Sequence, residues 1–155
     1  MTNVVDMTTN HITSVHIKSV PVLDQDEALK FYSQHLGFEV CDDIDLGFMR
    51  WLTVALSGGG VQLLLELVGG PQHDAETAAQ VRELVTKGAL GGLFLTSSDV
   101  HATFEALRDA GVEITQDPVE QPYGVDVGIR DPFGNHIRIS QPSNAPSGVA
   151  EAGTA

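Results

Sequence analysis

Cysteine is almost absent from this chain, since Cys41 is the only one among 155 residues. A single cysteine excludes an internal disulfide framework and any CxxC metal or redox motif, so nothing in the sequence requires an oxidising compartment. No run of apolar residues approaches the roughly 20 that a helix needs to cross a bilayer, and residues 1–13 lack the basic start and apolar stretch of a signal peptide. We therefore predict a cytoplasmic protein that does not enter a membrane.

Basic residues are also scarce. Eight Lys and Arg stand against 21 Asp and Glu, which gives a formal net charge of −13, and the positive charges are scattered along the chain. A chain without a basic stripe cannot release many counterions from a nucleic acid. This composition argues against DNA, RNA and anionic membranes as partners, and a small molecule remains the expected ligand.

The chain is long enough to bury one sizeable core and too short for two independent ones, at 42% hydrophobic residues. Its two ends, residues 1–13 and 142–155, are rich in small and polar residues and show no apolar periodicity. Such segments predict disordered tails. A single domain is therefore expected over residues 14–141.

A module with the order strand, helix, strand, strand, strand is predicted over residues 14–67. Residues 14–22 alternate as a strand does, and residues 24–36 place apolar side chains on one helical stripe. Asp24 is a natural N-cap and Gly37 a stop. Three further strands are predicted at 38–42, 48–56 and 61–67.

The same order returns over residues 91–141, with a helix at 98–110 and strands at 92–96, 112–115, 125–129 and 136–140. Gly37-Phe38-Glu39-Val40 in the first copy matches Gly111-Val112-Glu113-Ile114 in the second. The chain is therefore read as an internal duplication. Between the copies, the linker 68–90 contains a predicted helix at 74–86, capped by Asp74, which we interpret as a packed connector; a lid over a pocket is the alternative.

Two motifs then resemble one known family. The segment PVLDQDEALKFYSQHLGFEV is similar to the entry motif of the vicinal oxygen chelate superfamily, and GVDVGIRDPFGNHIRISQP is similar to its exit motif. This superfamily contains glyoxalases, extradiol dioxygenases and bleomycin-resistance proteins. The resemblance covers residues 14–141 and implies an α+β fold in which two βαβββ modules form a half-open barrel.

The resemblance also implies where a metal would bind. Metal-using members place a His on the first strand of each module and a Glu or its equivalent on each last strand. These positions fall on Ile17 and Gly92, and on Glu66 and Arg138. A guanidinium cannot ligate a cation, and neither Ile nor Gly offers a ligand. We therefore predict no cofactor, with a divalent metal as the alternative.

Strand alternation predicts which side chains line a pocket. The ligand-position face carries Ile17, Ser19, Gln62, Leu64, Glu66, His136 and Arg138. Val20, Val22, Leu63, Leu65, Ile137 and Ile139 should face the helices instead. Trp51 and Tyr123 are further ligand-binding candidates because large aromatic side chains stack on ligands, although either can instead pack in the core.

Three of these residues are candidates for direct chemistry, namely Glu66, Arg138 and His136, the last because imidazole titrates near neutrality. In a metal centre the side chains at positions 66 and 138 would converge on one ion. We therefore predict that the Arg138 guanidinium takes the place of the cation and bonds to Glu66.

Three functions remain open from the sequence, and it does not decide whether the protein is an enzyme. The first is a metal-independent small-molecule pocket, either a binding protein of the bleomycin-resistance kind or a lyase or isomerase. The second is a metal-dependent lyase or dioxygenase with relocated ligands such as His16, Glu66 and His136. The third is a structural dimeric domain with a vestigial pocket. In each case exposed sheet edges favour a homodimer.

Overall fold

The computed structural model describes residues 10–143. Most of the two predicted tails, at 1–9 and 144–155, therefore lies outside the described residues. Within the described range, no helix is long and apolar enough to cross a membrane.

The first module forms a four-stranded sheet backed by one helix. Its elements are β1 (Ile17–Val22), α1 (Gln25–Gln34), β2 (Glu39–Asp45), β3 (Arg50–Ala55) and β4 (Gln62–Leu67). The strand order is β1-β4-β3-β2, with β1 parallel to β4 and the other neighbours antiparallel. A parallel neighbour needs a crossover, and α1 with β2 and β3 supplies it.

The second module repeats this arrangement after a connecting helix. Its elements are α2 (Ala75–Thr86), which precedes it, then β5 (Leu93–Thr96), α3 (Val100–Asp109), β6 (Ile114–Gln121), β7 (Gly124–Arg130) and β8 (His136–Pro142). The strand order is β5-β8-β7-β6, with β5 parallel to β8. Neither sheet closes on itself into a barrel. The predicted α+β fold of two βαβββ modules is confirmed.

Each helix begins where the sequence supplies a capping carboxylate. Asp24 accepts a hydrogen bond from the Glu27 backbone N–H at 2.8 Å, and Asp74 accepts one from Thr77 at 2.7 Å. Both caps were predicted. Asp99 caps α3 in the same way, by accepting from the Ala102 N–H at 3.0 Å. A side-chain oxygen at this position satisfies one of the backbone donors that a helix start leaves unpaired.

One hydrophobic core is shared by both modules. The residues predicted to face the helices are buried in it, among them Val22, Leu65 and Ile137. Helix α2 contributes Val85, which is fully buried, whereas its neighbour Leu84 is 39% exposed. Ala78 and Val85 are buried on the same side of the helix, seven residues apart, and Val81 packs partly buried against the same core.

Strand β6 is longer than the sequence predicted, since it continues past Pro118 to Gln121. Proline lacks an N–H and usually ends a strand, except on an edge. Strand β6 is the edge of its sheet, and its pairing with β7 shifts register between Gln116 and Val119. A bulge at this point accommodates the proline without loss of the strand.

Candidate functional site

The module-one candidates lie on the face of the sheet turned away from the helices, which we call the helix-free face. Strand pairing sets Ile17 opposite Gln62 and Ser19 opposite Leu64, while Thr53 lies beside Leu64 on the next strand. Because β-strand side chains alternate, Glu66 and Trp51 follow on the same face. The predicted strand register therefore agrees with the structure.

Glu66 is held in place by two uncharged donors. The Ser19 hydroxyl donates to Oε1 at 2.5 Å, and the Gln72 amide donates to Oε2 from the loop that follows β4. Beside it on the same strand, the Gln62 Oε1 atom is buried without a hydrogen-bond partner among the described residues. A buried acceptor without a partner is uncommon in a folded protein and calls for an explanation.

In module two, Arg138 belongs to a polar cluster that the sequence analysis missed. Its guanidinium donates to the Asp126 carboxylate at 2.7 Å and to Gln116 Oε1 at 3.2 Å. Tyr123 and Gln116 also donate to Asp126, at 3.0 and 3.1 Å. Asp126 is only 3% exposed. We call these four residues the Arg138 cluster.

Charge-assisted hydrogen bonds shift the ionisation of this cluster. The bond from Arg138 is the main cause that lowers the pKa of Asp126 below its ordinary value. The bond to Asp126 in turn raises the pKa of the Tyr123 hydroxyl, because that bond requires the phenol to keep its proton. The cluster therefore holds Asp126 as a carboxylate and Tyr123 as a neutral donor.

The predicted pairing of Glu66 with Arg138 is wrong for the chain described here. Glu66 bonds to Ser19 and Gln72, and Arg138 bonds to Asp126 and Gln116; within residues 10–143 no ion pair joins the two. The strand register gives the physical reason.

Glu66 pairs with Pro21, which lies three residues before the cap of α1. In module two, the residue three positions before the cap of α3 is Thr96, and it pairs with Ser140. Ser140 is therefore the counterpart of Glu66. Arg138 pairs instead with Phe94, two residues earlier on that strand. The two side chains therefore do not occupy matching positions in the two modules. The internal repeat of the sequence agrees with this, because the offset of 74 residues between Gly37 and Gly111 places Ser140, and not Arg138, at the position of Glu66.

His136 is turned toward the connecting helix rather than toward the Arg138 cluster. A side chain added at Gly88, just after α2, would lie 2.7 Å from its imidazole ring, so the ring covers this glycine. His136 also lines a cavity of about 320 Å³ between the modules, together with Ser19. The structure therefore brings Ser19 and His136 together at one cavity, and Arg138 does not line that cavity.

The residues at the family's metal positions do not fit a metal ion. Ile17 and Gly92 supply no donor, and Arg138 brings a positive charge already bonded to Asp126. For the alternative set, His16 is exposed ahead of β1, whereas His136 lies over Gly88. Among residues 10–143, no three His, Cys, Asp or Glu side chains are grouped as metal ligands.

Tyr123 and Trp51 differ in exposure, and this bears on their predicted roles. Tyr123 is 55% exposed in the turn between β6 and β7, so it does not pack in the core, whereas Trp51 is half-buried on the helix-free face. Phe94, paired with Arg138, is 76% exposed and was missed. The signal for Asp126 was present in the sequence, because a charged residue between Val125 and Val127 interrupts an apolar strand.

Comparison with solved structures shows where this fold occurs. The crystal structure of UcmS2 superposes with a TM-score of 0.79 at 41% sequence identity, covering 83% of this chain and 98% of that one. TnmS3, described as an antibiotic binding protein from Streptomyces sp. CB03234, superposes with a TM-score of 0.69 at 34% identity, covering 86% and 99%.

Sequence relatives agree with this. The uncharacterized protein YurT of Bacillus subtilis (strain 168) is 28% identical over 127 residues, covering 81% of this chain and 96% of that protein. A family model matches residues 8–139. With both modules, both motifs and these relatives in agreement, the chain belongs to the Glyoxalase/Bleomycin resistance protein/Dioxygenase superfamily.

Proposed function

We propose that this protein binds a small organic molecule on its helix-free face without a metal ion, as a binding and sequestering protein rather than as a metalloenzyme. The observation that carries this proposal is the Arg138 cluster. At the position where metal-using relatives place a final carboxylate ligand, this chain has a guanidinium bonded to Asp126 at 2.7 Å. Fixed donors of this kind recognise an oxygen acceptor by hydrogen bonding.

The geometry of Arg138 supports such a role. Its Nε and Nη2 atoms donate within the cluster, and no hydrogen bond from Nη1 to another described residue is present. Nη1 lies over Gly128, 3.5 Å from where a side chain at that glycine would begin. A ligand oxygen can therefore approach Nη1 without displacing the bonds that orient the guanidinium.

Two features of module one support the same proposal. The buried Gln62 Oε1 atom lacks a partner within the described residues, which a ligand donor would supply. Trp51 lies half-buried on the same face and offers a large apolar surface. Binding pockets for small organic molecules typically combine apolar surface with a few fixed polar groups.

The relatives narrow the ligand class. TnmS3 is described as an antibiotic binding protein and is 34% identical to this chain over 86% of its length. Sequestration requires only tight binding, so a pocket of hydrogen-bond donors and aromatic side chains is sufficient. We therefore propose an antibiotic or a similar organic metabolite as the ligand, held in the cytoplasm, where a chain with one cysteine needs no disulfide.

A homodimer is part of this proposal. Phe94 is 76% exposed, which is unusual for phenylalanine in an isolated domain. A second copy would cover such side chains and the unpaired outer edges of the sheets. Sedimentation at tens of micromolar should give twice the mass of the 16.5 kDa chain; a monomer would contradict this part of the proposal.

The experiment that tests the proposed function combines metal analysis with binding. Protein purified without chelator should contain no stoichiometric Fe, Mn, Ni or Zn, and a panel of antibiotics should yield a ligand whose affinity EDTA does not change. Arg138→Gln should lower the affinity for that ligand by about tenfold or more, because a hydrogen bond to a charged group is lost. Arg108→Gln is the matched control, because Arg108 pairs with Asp109 on the surface of α3. Binding that requires added metal would overturn the proposal.

A further inference from the structure

A second cavity, of about 350 Å³, lies at the end of strand β4. It is enclosed by the β2–β3 turn with Phe48, by the loop after β4, and by Arg82 of helix α2. Its volume falls within the range of sites that bind small ligands. Glu66 reaches it from the sheet, whereas Arg138 and Asp126 do not line it.

Two opposite charges in this cavity are not neutralised by their neighbours. Arg50 also lines it, but it is paired with Asp26 at 2.7 Å and with Asp43 at 2.8 Å. That leaves Glu66 and Arg82, neither of which forms an ion pair with another residue in the described part of the chain. The cavity therefore presents one carboxylate and one guanidinium to a ligand.

Glu66 is oriented by two hydrogen-bond donors, and neither of them carries a positive charge. These donors are the Ser19 hydroxyl and the Gln72 amide. A carboxylate has about four acceptor positions, so each oxygen can still accept a further bond. A third donor that carries positive charge, such as an ammonium group, would complete the set and neutralise the carboxylate.

Arg82 and the amide that bonds to Glu66 both lie against the loop that follows β4. A side chain at Gly69 would begin 2.9 Å from Arg82 Nη2, and one at Gly70 would begin 3.2 Å from Gln72 Oε1. The guanidinium and the amide bound to Glu66 therefore lie against consecutive residues, whose Cα atoms are about 3.8 Å apart. The bare glycine backbone at these two positions leaves room for both side chains.

We propose that this cavity is a site for a zwitterionic small molecule, an α-amino acid with an apolar side chain. Its ammonium group binds Glu66, its carboxylate binds Arg82, and its side chain lies against Phe48, whose ring is 69% exposed. Guanidinium binds carboxylate through two parallel hydrogen bonds, and ammonium supplies the charged donor that Glu66 lacks. This site does not depend on the function proposed for the Arg138 cluster, which lies in the other module.

The test uses the full chain and three probes of similar shape. L-Phenylalanine carries both charges, phenethylamine lacks the carboxylate, and 3-phenylpropionate lacks the ammonium group. Binding is measured by calorimetry or by NMR chemical-shift titration. L-Phenylalanine should bind at least about tenfold more tightly than either analogue, because each analogue leaves one charged group of the site without its partner. Equal affinity for the three probes, or no binding of L-phenylalanine at 10 mM, a concentration on the order of ten times a weak millimolar Kd, would overturn the proposal.

Two variants assign the charges. Glu66→Gln should reduce the preference for L-phenylalanine over 3-phenylpropionate, and Arg82→Gln should reduce its preference over phenethylamine. Arg108→Gln, outside the cavity, should change neither preference, and thermal melting confirms that each variant is folded. If folded Glu66→Gln and Arg82→Gln variants keep the wild-type preferences, the assignment is wrong. Since Arg138→Gln leaves this cavity intact, loss of antibiotic binding in that variant and loss of amino acid binding in these variants are separate outcomes.

Discussion

The hydroxyl of Tyr32 donates a hydrogen bond to the carboxylate of Asp131 at 2.9 Å, and this bond joins the two modules. Tyr32 belongs to the Phe-Tyr pair of helix α1, and Asp131 begins the Asp-Pro-x-Gly turn before β8. Both side chains are buried. Asn135 adds a second link, donating to the Pro21 carbonyl at 2.8 Å. The two motifs that carry the family resemblance therefore meet in the structure.

The first prediction concerns the two tyrosines of the chain. Burial, reinforced by Asp131, raises the pKa of Tyr32 far above its ordinary value, whereas exposed Tyr123 has a pKa raised mainly by its bond to Asp126. A spectrophotometric titration should therefore show one phenolate forming in the folded protein and the second only when the protein unfolds. Because the pKa of Tyr32 is higher in the folded than in the unfolded protein, its protonated hydroxyl stabilises the fold fully at pH values below the ordinary tyrosine pKa of about 10. This contribution to the free energy of unfolding is lost as the pH rises above that value.

Substitution separates the two groups. Tyr32→Phe should remove the unfolding-linked phenolate and cost about 1–3 kcal/mol, because Asp131 loses a buried donor. Tyr123→Phe should remove the other phenolate with a smaller effect on stability, since its ring is 55% exposed. Two phenolates titrating together in the folded state would show that Tyr32 is not buried as described.

The second prediction concerns the bond between Arg138 and Asp126. Arg138→Met keeps the apolar stem but removes the donors, and it should cost about 1–3 kcal/mol because Asp126 stays buried with fewer partners. Asp126→Asn should cost a similar amount. The double variant should cost less than the sum, by about 0.5–3 kcal/mol, when unfolding is followed in urea. Additive costs would mean that the two side chains do not interact in solution.

The third prediction is a dependence of stability on acidity. Arg138 lowers the pKa of Asp126, so the carboxylate stabilises the fold above its ordinary value of about 3.9 and this contribution is lost as the pH falls through the lowered value. The urea midpoint should therefore fall less steeply between about pH 5 and pH 2, a window of about three units that contains the ordinary aspartate pKa, in Asp126→Asn than in the unsubstituted protein.

Asp117→Asn is the control for this acid dependence, because Asp117 is exposed on β6 and makes no ion pair with another described residue. It should leave the slope between the same pH limits unchanged. An unchanged slope in Asp126→Asn as well would show that Asp126 contributes nothing to the acid dependence.

The fourth prediction concerns Gly88, which has a φ of +66° and lies under the imidazole of His136. Gly88→Ala places a methyl group 2.7 Å from that ring in a left-handed backbone conformation, and it should destabilise the protein by at least about 1–2 kcal/mol. Gly91→Ala should have a much smaller effect, because no atom lies within 4 Å of the added carbon. Thermal melting compares the two; equal effects would place His136 elsewhere.

Much of the fold follows from local patterns in the sequence. Capping carboxylates at Asp24 and Asp74 predicted where α1 and α2 begin, because a helix start leaves donors that a nearby carboxylate can satisfy. Alternation along β4 predicted that Leu63 and Leu65 face the core and that Glu66 faces the other way. The internal duplication, together with the entry and exit motifs, predicted the order of strands and helices along the chain, because each of these signals lies within a short stretch of sequence.

The partners of the charged side chains were decided only by the tertiary structure. Position along a strand tells which face a side chain occupies, but the contacts of Arg138 depend on the neighbouring strand and on its register. Asp126 enters this cluster through the antiparallel pairing of β7 with β8, and Gln72 reaches Glu66 through a loop. A hydrogen bond needs atoms within about 3 Å, and that precision arises from packing between distant segments rather than from the local sequence.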